Sequence, residues 1–361
     1  MRAAVCRAFG APLEIEDLEL DPPESGEVRV RVAACAICHS DVSLVDGAWG
    51  GALPSVFGHE VAGVVQDVGS DVSVSPGSRV VVSLLRSCGH CFFCRRGESH
   101  LCEHEFPIDR DGRLRTRTGE LVSQGLHVAG FAEEVVVDQS QVAVVSRSLP
   151  LESAALLGCG VVAGFGAVVD RARVAKGSSV LVIGAGGVGL NSLQGAAHCG
   201  ASPIVAVDVS PAKREAATRF GATQVLDPAE GDLAARVRAL TAGRGADYVF
   251  VTVGRGSAIE LGLACVRRGG TLVVVGMPPA GETFQVEAVG LAHDDVRILG
   301  SKMGSARLAD AVPRLVELYA DGRLQLDELV TGRFPLERIN EALASTRAGE
   351  TIRNVIVFDR E

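Results

Sequence analysis

The chain alternates between two hydrophobic rhythms. Through residue 150 the apolar positions fall in short valine-heavy runs: Glu27–Ala34, Val61–Val68, Arg79–Leu84, Glu133–Val137 and Gln141–Val145. Clusters such as Ser75-Pro-Gly-Ser78 separate them. Runs of this length between turn residues predict short strands, and so many in succession predict a barrel-like region. Near Leu149-Pro150 the pattern changes. Glu152–Leu157 and Gly164–Val174 are alanine-rich and read as helical. From Ser178 strands and helices alternate: Ser179–Ile183, a helix to about Cys199, strand Ile204–Val207, helix Pro211–Phe220, then strands Asp247–Val253 and Thr271–Val275. That rhythm predicts parallel βαβ units. A strand after about Val296, a helix near Ala306–Tyr319 and a last strand Asn354–Phe358 complete the chain.

Composition fits this α/β picture. Of 361 residues, 47% are hydrophobic and 22% charged, so a core is easily built, and the length suits about two domains. A net charge of −9 without a Lys/Arg block argues against nucleic acid or an anionic membrane as partner. The start lacks an apolar leader core, and no run of apolar residues is long enough to span a bilayer. The expected location is the cytoplasm, where thiols stay reduced.

Two patterns carry chemistry on their own. Cys88, Cys91, Cys94 and Cys102 lie within one loop, 88–102. Thiolates at this spacing can surround one Zn²⁺ tetrahedrally, a closed structural site. Second, the apolar run Ser179–Ile183 leads directly into Gly184-Ala-Gly186-Gly187-Val188-Gly189. Its glycines suit a tight turn, a close backbone approach to a pyrophosphate, and close helix–strand packing, in that order. Asp208 follows at the end of the next strand, where a carboxylate can accept from both ribose hydroxyls and repel a 2′-phosphate. This favours NAD over NADP. Further metal-type residues are scattered: Cys38-His39-Ser40-Asp41, Gly58-His59-Glu60 and Gly158-Cys159-Gly160. Cys38, His59 and Cys159 have the ligand types of an open catalytic zinc site, but spacing alone does not bring them together, and each also fits a simple packing role.

Taken together, Gly58-His59-Glu60, the four-cysteine loop, Gly158-Cys159-Gly160, Gly184–Gly189, Val275-Gly-Met-Pro-Pro279 and Gly349-Glu-Thr-Ile-Arg353 resemble the zinc-dependent alcohol dehydrogenases of the medium-chain dehydrogenase/reductase superfamily over essentially the whole chain. The resemblance implies a GroES-like β-barrel catalytic domain over 1–152, a Rossmann doubly wound parallel-sheet coenzyme domain over 153–300, and a return over 301–361 to the first, with the active site in the cleft between them. It implies two zinc ions per chain. Cys38, His59 and Cys159 would hold the catalytic ion, with Glu60 behind it and able to coordinate it transiently, and Asp41 would fix the His59 ring. Ser40 would accept the alcohol proton. Many relatives end that relay with a histidine where this chain has Ser43. His39 and Arg353 would touch the pyrophosphate, Val188 would pack against the nicotinamide, Val275 would belong to the coenzyme-binding residues, and Lys213 would lie near the adenosine ribose. Trp49 and Leu84 would line an apolar substrate pocket suited to aromatic or medium aliphatic alcohols.

The expected activity is reversible hydride transfer between an alcohol and NAD. Cys159, where polyol dehydrogenases usually carry Glu, favours the alcohol dehydrogenase branch. Phe106, where glutathione-dependent formaldehyde dehydrogenase carries an arginine, speaks against that rival. A biosynthetic C=N or C=C reductase and a non-enzymatic NAD-binding protein are further alternatives, the first weakened by Ser40 and the second by the complete ligand set. The segment Glu103–Gly130, with Arg110, Arg113, Arg115 and Arg117, reads as a solvent-facing loop, or else as a subunit contact or substrate-mouth feature. Its length leans towards a homodimer rather than a homotetramer.

Overall fold

The structure is a computed structural model and describes residues 1–358. The chain divides into two compact units: Met1–Cys159 together with the chain from Arg307 onward, and Gly160–Ala306.

In the first unit the long strand Glu27–Ala36 is the organising element. It pairs antiparallel with Glu60–Val68 on one edge, and with Glu134–Asp138 and the last strand, Arg353–Val357, on the other. These belong to a seven-stranded sheet whose core contains Val30, Val32, Cys35, Val61, Phe131 and Ile356. Beside it Arg2–Cys6, Glu14–Leu20, Leu114–Thr116, Leu121–Gln124 and Ser55–Val56 close a small barrel. Closure leaves no open edge among these strands.

The barrel corrects the reading of Glu103–Gly130 as a solvent-facing loop. That segment contains the helix Pro107–Asp111 and two barrel strands, Leu114–Thr116 and Leu121–Gln124. Arg115 and Arg117 do lie towards solvent, paired with Asp21 and Asp17. Arg113 does not: it is 3% exposed and forms a bidentate pair with Glu27 at 2.9 and 2.8 Å. Glu27 is itself buried, at 4%. Removing one member of a buried pair leaves the other charge uncompensated. Arg113→Met is therefore expected to cost about 3 kcal/mol of unfolding free energy, and adding Glu27→Gln to recover part of it. Denaturant unfolding of both variants checks this; an unchanged midpoint for the single variant would contradict it.

The second unit is a six-stranded sheet in the order Gln224–Leu226, Ile204–Val207, Val180–Ile183, Ala246–Val251, Val266–Val274 and Arg297–Gly300. Every pairing is parallel. All residues of Val180–Ile183 and of Ile204–Val207 are buried, as strands covered on both faces must be. From Val180–Ile183 the order runs outward both ways, so the end of this strand is the switch point where doubly wound sheets bind ligands. Among the described residues no single helix is long and apolar enough to cross a membrane.

Candidate zinc and dinucleotide sites

The helix His39–Val45 begins at Cys38, and its first turn builds half of a buried cluster. Asp41, fully buried, accepts from the backbone N–H of Cys38 at 2.9 Å through Oδ2. Its Oδ1 accepts from Nδ1 of His59 at 2.9 Å and from the N–H of Gly58 at 3.1 Å. One carboxylate thus ties together two stretches of chain. Gly58 has φ +89°, and a Cβ there would meet the backbone nitrogen of Phe131 at 2.7 Å, so only glycine lets His59 take this position.

Because Nδ1 of His59 donates to a carboxylate, Nε2 is the nitrogen left for a ligand. Cys38, His59, Glu60 and Cys159 each bring one ligand atom within 4.8 Å of the others. The Cys159 thiol donates to Cys38, which holds Cys38 well below the ordinary thiol value and raises Cys159 well above it. Burial disfavours the His59 imidazolium, but Asp41 and Cys38 together more than offset this and raise its pKa. Burial pushes Glu60 up to about 7 against the opposing pull of Arg353. Arg353 donates to Oε2 of Glu60 at 2.5 Å, while Oε1 of Glu60 is buried without a partner. Two thiols, an oriented imidazole and an orphaned carboxylate oxygen, all converging, fit a borderline-soft divalent cation.

Ser40 Oγ lies 3.4 Å from His59 Nε2. Ser43 instead donates to the carbonyl of His39 at 3.2 Å, and His39 is exposed. Arg353, assigned by resemblance to a pyrophosphate, is 6% exposed and engaged with Glu60, although its Nε keeps no partner. Trp49 is half-buried against the barrel core, and Leu84 is half-buried after the strand Arg79–Val82.

The four-cysteine loop folds around its own centre. Sγ of Cys88 lies 4.0 Å from that of Cys94, and Sγ of Cys91 lies 3.9 Å from that of Cys102. A tetrahedron with zinc–sulfur bonds of about 2.3 Å has edges of about 3.8 Å, so the spacing fits. Backbone N–H groups of Cys88, Cys91 and Cys94 point at these sulfurs. The N–H of Cys94 holds Cys91 down at about 6, whereas burial pushes Cys94 up to about 12. All ten cysteines are free thiols.

In the second unit the glycines of the glycine-rich turn meet different surroundings. Gly184 has φ +96°. A Cβ on Gly186 would meet nothing within 4 Å, leaving room above its N–H for a ligand. A Cβ on Gly189 would lie 1.8 Å from the Gly184 carbonyl, which is the close approach of helix to turn. Thr252, which the sequence did not single out, donates to the carbonyls of Ile183 and Gly184 at 3.0 and 2.8 Å and braces the turn. Asp208 accepts from the N–H groups of Ala185 and Ser210. Its neighbour Val209, also missed, is 73% exposed, an apolar side chain at the rim of a ribose-type site. Lys213 is half-buried in the first turn of the helix Pro211–Arg219, and Val188 and Val275 are half-buried.

Known proteins resemble the chain over its whole length. Residues 24–147 match the family described as alcohol dehydrogenase GroES-like domain, and residues 187–321 the family described as zinc-binding dehydrogenase. The chain is 39% identical to an NDMA-dependent alcohol dehydrogenase of Amycolatopsis methanolica, covering 100% of this chain and 99% of that protein. An alcohol dehydrogenase zinc-binding domain protein from Burkholderia ambifaria superposes with a TM-score of 0.94 at 34% identity, covering 99% of each chain. Benzyl alcohol dehydrogenase from Acinetobacter calcoaceticus superposes with a TM-score of 0.92 at 31% identity, again over 99% of each chain. An enzyme of this kind uses zinc and a nicotinamide dinucleotide on a small alcohol or aldehyde. On fold, ligand chemistry and full-length similarity alike, this chain belongs to the zinc-dependent alcohol dehydrogenases of the medium-chain dehydrogenase/reductase superfamily.

Proposed function

We propose that the chain interconverts primary and secondary alcohols, aromatic or medium aliphatic, with their aldehydes or ketones, using NAD and two zinc ions. The observation that carries this is the buried convergence of Cys38, His59, Glu60 and Cys159, with the His59 tautomer set by Asp41. When bound, zinc acts as a Lewis acid on the substrate oxygen and NAD accepts the hydride. The remaining work belongs to the chain. Cys38, His59 and Cys159 hold the catalytic ion. Glu60, with one oxygen free and the other on Arg353, supplies negative charge behind it. Ser40 takes the alcohol proton. Cys88, Cys91, Cys94 and Cys102 hold the structural ion. Gly184–Gly189 seat the pyrophosphate, and Asp208 takes the ribose. The Asp208 carboxylate favours NAD because it would repel a 2′-phosphate. Trp49 and Leu84 face the substrate, and His39 and Lys213 lie beside the coenzyme phosphates and ribose.

A second copy of the chain completes the assembly. The strand Arg297–Gly300 ends its sheet, and in the chain leading to it Val286 and Val289 are 43% and 67% exposed. An open edge invites pairing, and a homodimer is the simplest closure. All ten thiols being free suits the cytoplasm.

The direct test is zinc analysis of the dialysed protein, its mass in solution, and turnover of benzyl alcohol. NAD⁺, NADP⁺ and, because one relative is NDMA-dependent, NDMA serve as separate acceptors. Two zincs per chain, a dimer and NAD-linked turnover are expected. One zinc with dinucleotide binding but no turnover would overturn the enzymatic reading, and preference for NADP⁺ would overturn the role of Asp208. The relay has its own test. Ser40→Ala is expected to lower turnover about 100-fold, a size typical of lost proton transfer, while Ser43→Ala, whose hydroxyl serves the helix, changes little. Equal losses in steady-state kinetics would show that the proton does not pass through Ser40.

A further inference from the structure

Next to the four-cysteine set lies a second group of donors. Cys88, His90 and His104 each bring a ligand atom within 4.8 Å of the others. The two imidazoles meet edge to face with centroids 5.0 Å apart. His90 Nδ1 is 2.8 Å from the carbonyl oxygen of Cys88. A carbonyl only accepts, so Nδ1 carries the proton and Nε2 keeps its lone pair for a ligand. Metal-binding histidines are oriented in the same way. Both histidines are exposed, and the exposed carboxylates Glu103 and Glu105 flank His104 in sequence.

Cys88 belongs to both sets. A four-thiolate tetrahedron has no open coordination position. One route by which an ion reaches or leaves it shares a thiolate with a second ion on the way. Among the described residues, the His90–His104 pair stands at Cys88, which can be shared in this way. We infer that His90, His104 and Cys88 form a surface capture site for a divalent, imidazole-seeking cation such as Zn²⁺, and that the four-cysteine site is loaded and exchanged through it. Two imidazoles and a thiolate already committed elsewhere make a weak, open site, which suits transit rather than storage. The transfer is ligand exchange alone, with no change in oxidation state. The inference rests on the four cysteines holding zinc.

The test uses the full-length, zinc-loaded protein exposed to excess Cd²⁺, followed by cadmium NMR, which separates a four-sulfur position from a mixed sulfur–nitrogen one. The unaltered chain is expected to bind a weak third ion and to exchange its four-sulfur position steadily. The variant His90→Asn with His104→Asn is expected to keep two zincs and its thermal melting, and to lose the third ion. It should exchange the four-sulfur position roughly tenfold more slowly, with only the crowded thiolates left to receive the incoming ion. Exchange at the Cys38–His59–Cys159 position should be unchanged. Equal exchange rates at the four-sulfur position, or a third ion that survives in the variant, would overturn the capture site. Absence of a four-sulfur signal in the unaltered chain would instead overturn the structural zinc itself.

Discussion

Gly189→Ala is expected to unfold or grossly destabilise the second unit, whereas Gly186→Ala is expected to leave it folded and unable to bind the dinucleotide. Both add one methyl group to the same turn. On Gly189 the methyl would sit 1.8 Å from the Gly184 carbonyl oxygen and 3.1 Å from Oγ1 of Thr252. The carbonyl is already fixed by Thr252 at 2.8 Å, so neither side can yield. Helix Gly187–His198 would have to move off the sheet and uncover Leu190 and Leu193, both fully buried. Overpacking of this kind costs about 1–3 kcal/mol or more. On Gly186 the methyl meets no protein atom. It would instead occupy the space where backbone N–H groups must approach a pyrophosphate. Thermal melting should therefore separate the two variants, with Gly186→Ala close to the unaltered protein. NADH titration should show weakening by about two orders of magnitude for Gly186→Ala, on the scale of losing contacts worth roughly 3 kcal/mol. Tight NADH binding by Gly186→Ala would mean that the turn does not cradle the phosphates.

That contrast was largely legible in the sequence, because the glycine pattern, the strand before it and the acid after it all lie within a short stretch of chain. Buried parallel strands were equally legible. Ile204–Val207 is apolar throughout, and its bounds in the structure are those its sequence suggests. The small barrel was not. Its strand Glu14–Leu20 is mostly polar and exposed, and Leu114–Thr116 is three residues long inside an arginine-rich segment. What makes Arg113 a buried residue is Glu27, 86 positions earlier, and no local pattern reports such a partner. The candidate zinc site divides along the same line. Its residue types were visible, but the pairing of Arg353 with Glu60, 293 positions apart, required the fold. The meeting of His90 and His104 with Cys88 likewise required the fold.

Asp41→Asn should lose the catalytic zinc while keeping most of the fold, and it is the substitution that best tests how the site is built. The side chain is wholly buried and satisfies three donors: the N–H of Cys38, the N–H of Gly58 and Nδ1 of His59. A carboxylate has two accepting oxygens and can serve all of them. An amide has one. If its oxygen stays with His59 and Gly58, its NH₂ faces the N–H of Cys38; if it turns, the NH₂ faces Nδ1 of His59, which must then give up its proton and present the wrong tautomer. In either orientation one of the ligands Cys38 and His59 loses its anchor. Losing such a supporting partner lowers metal affinity about 10–100-fold. Activity after dialysis should fall in step with zinc content, and excess zinc in the assay should restore much of it, since Cys38, His59 and Cys159 themselves are untouched. With the two zincs proposed above, the four-cysteine ion should be retained and the count should fall from two towards one. Asp41→Ala, which leaves three buried donors unpaired, should add a stability loss of several kcal/mol. Full zinc content with low activity in Asp41→Asn would show that this carboxylate acts on the reaction itself and not through the ligands it holds.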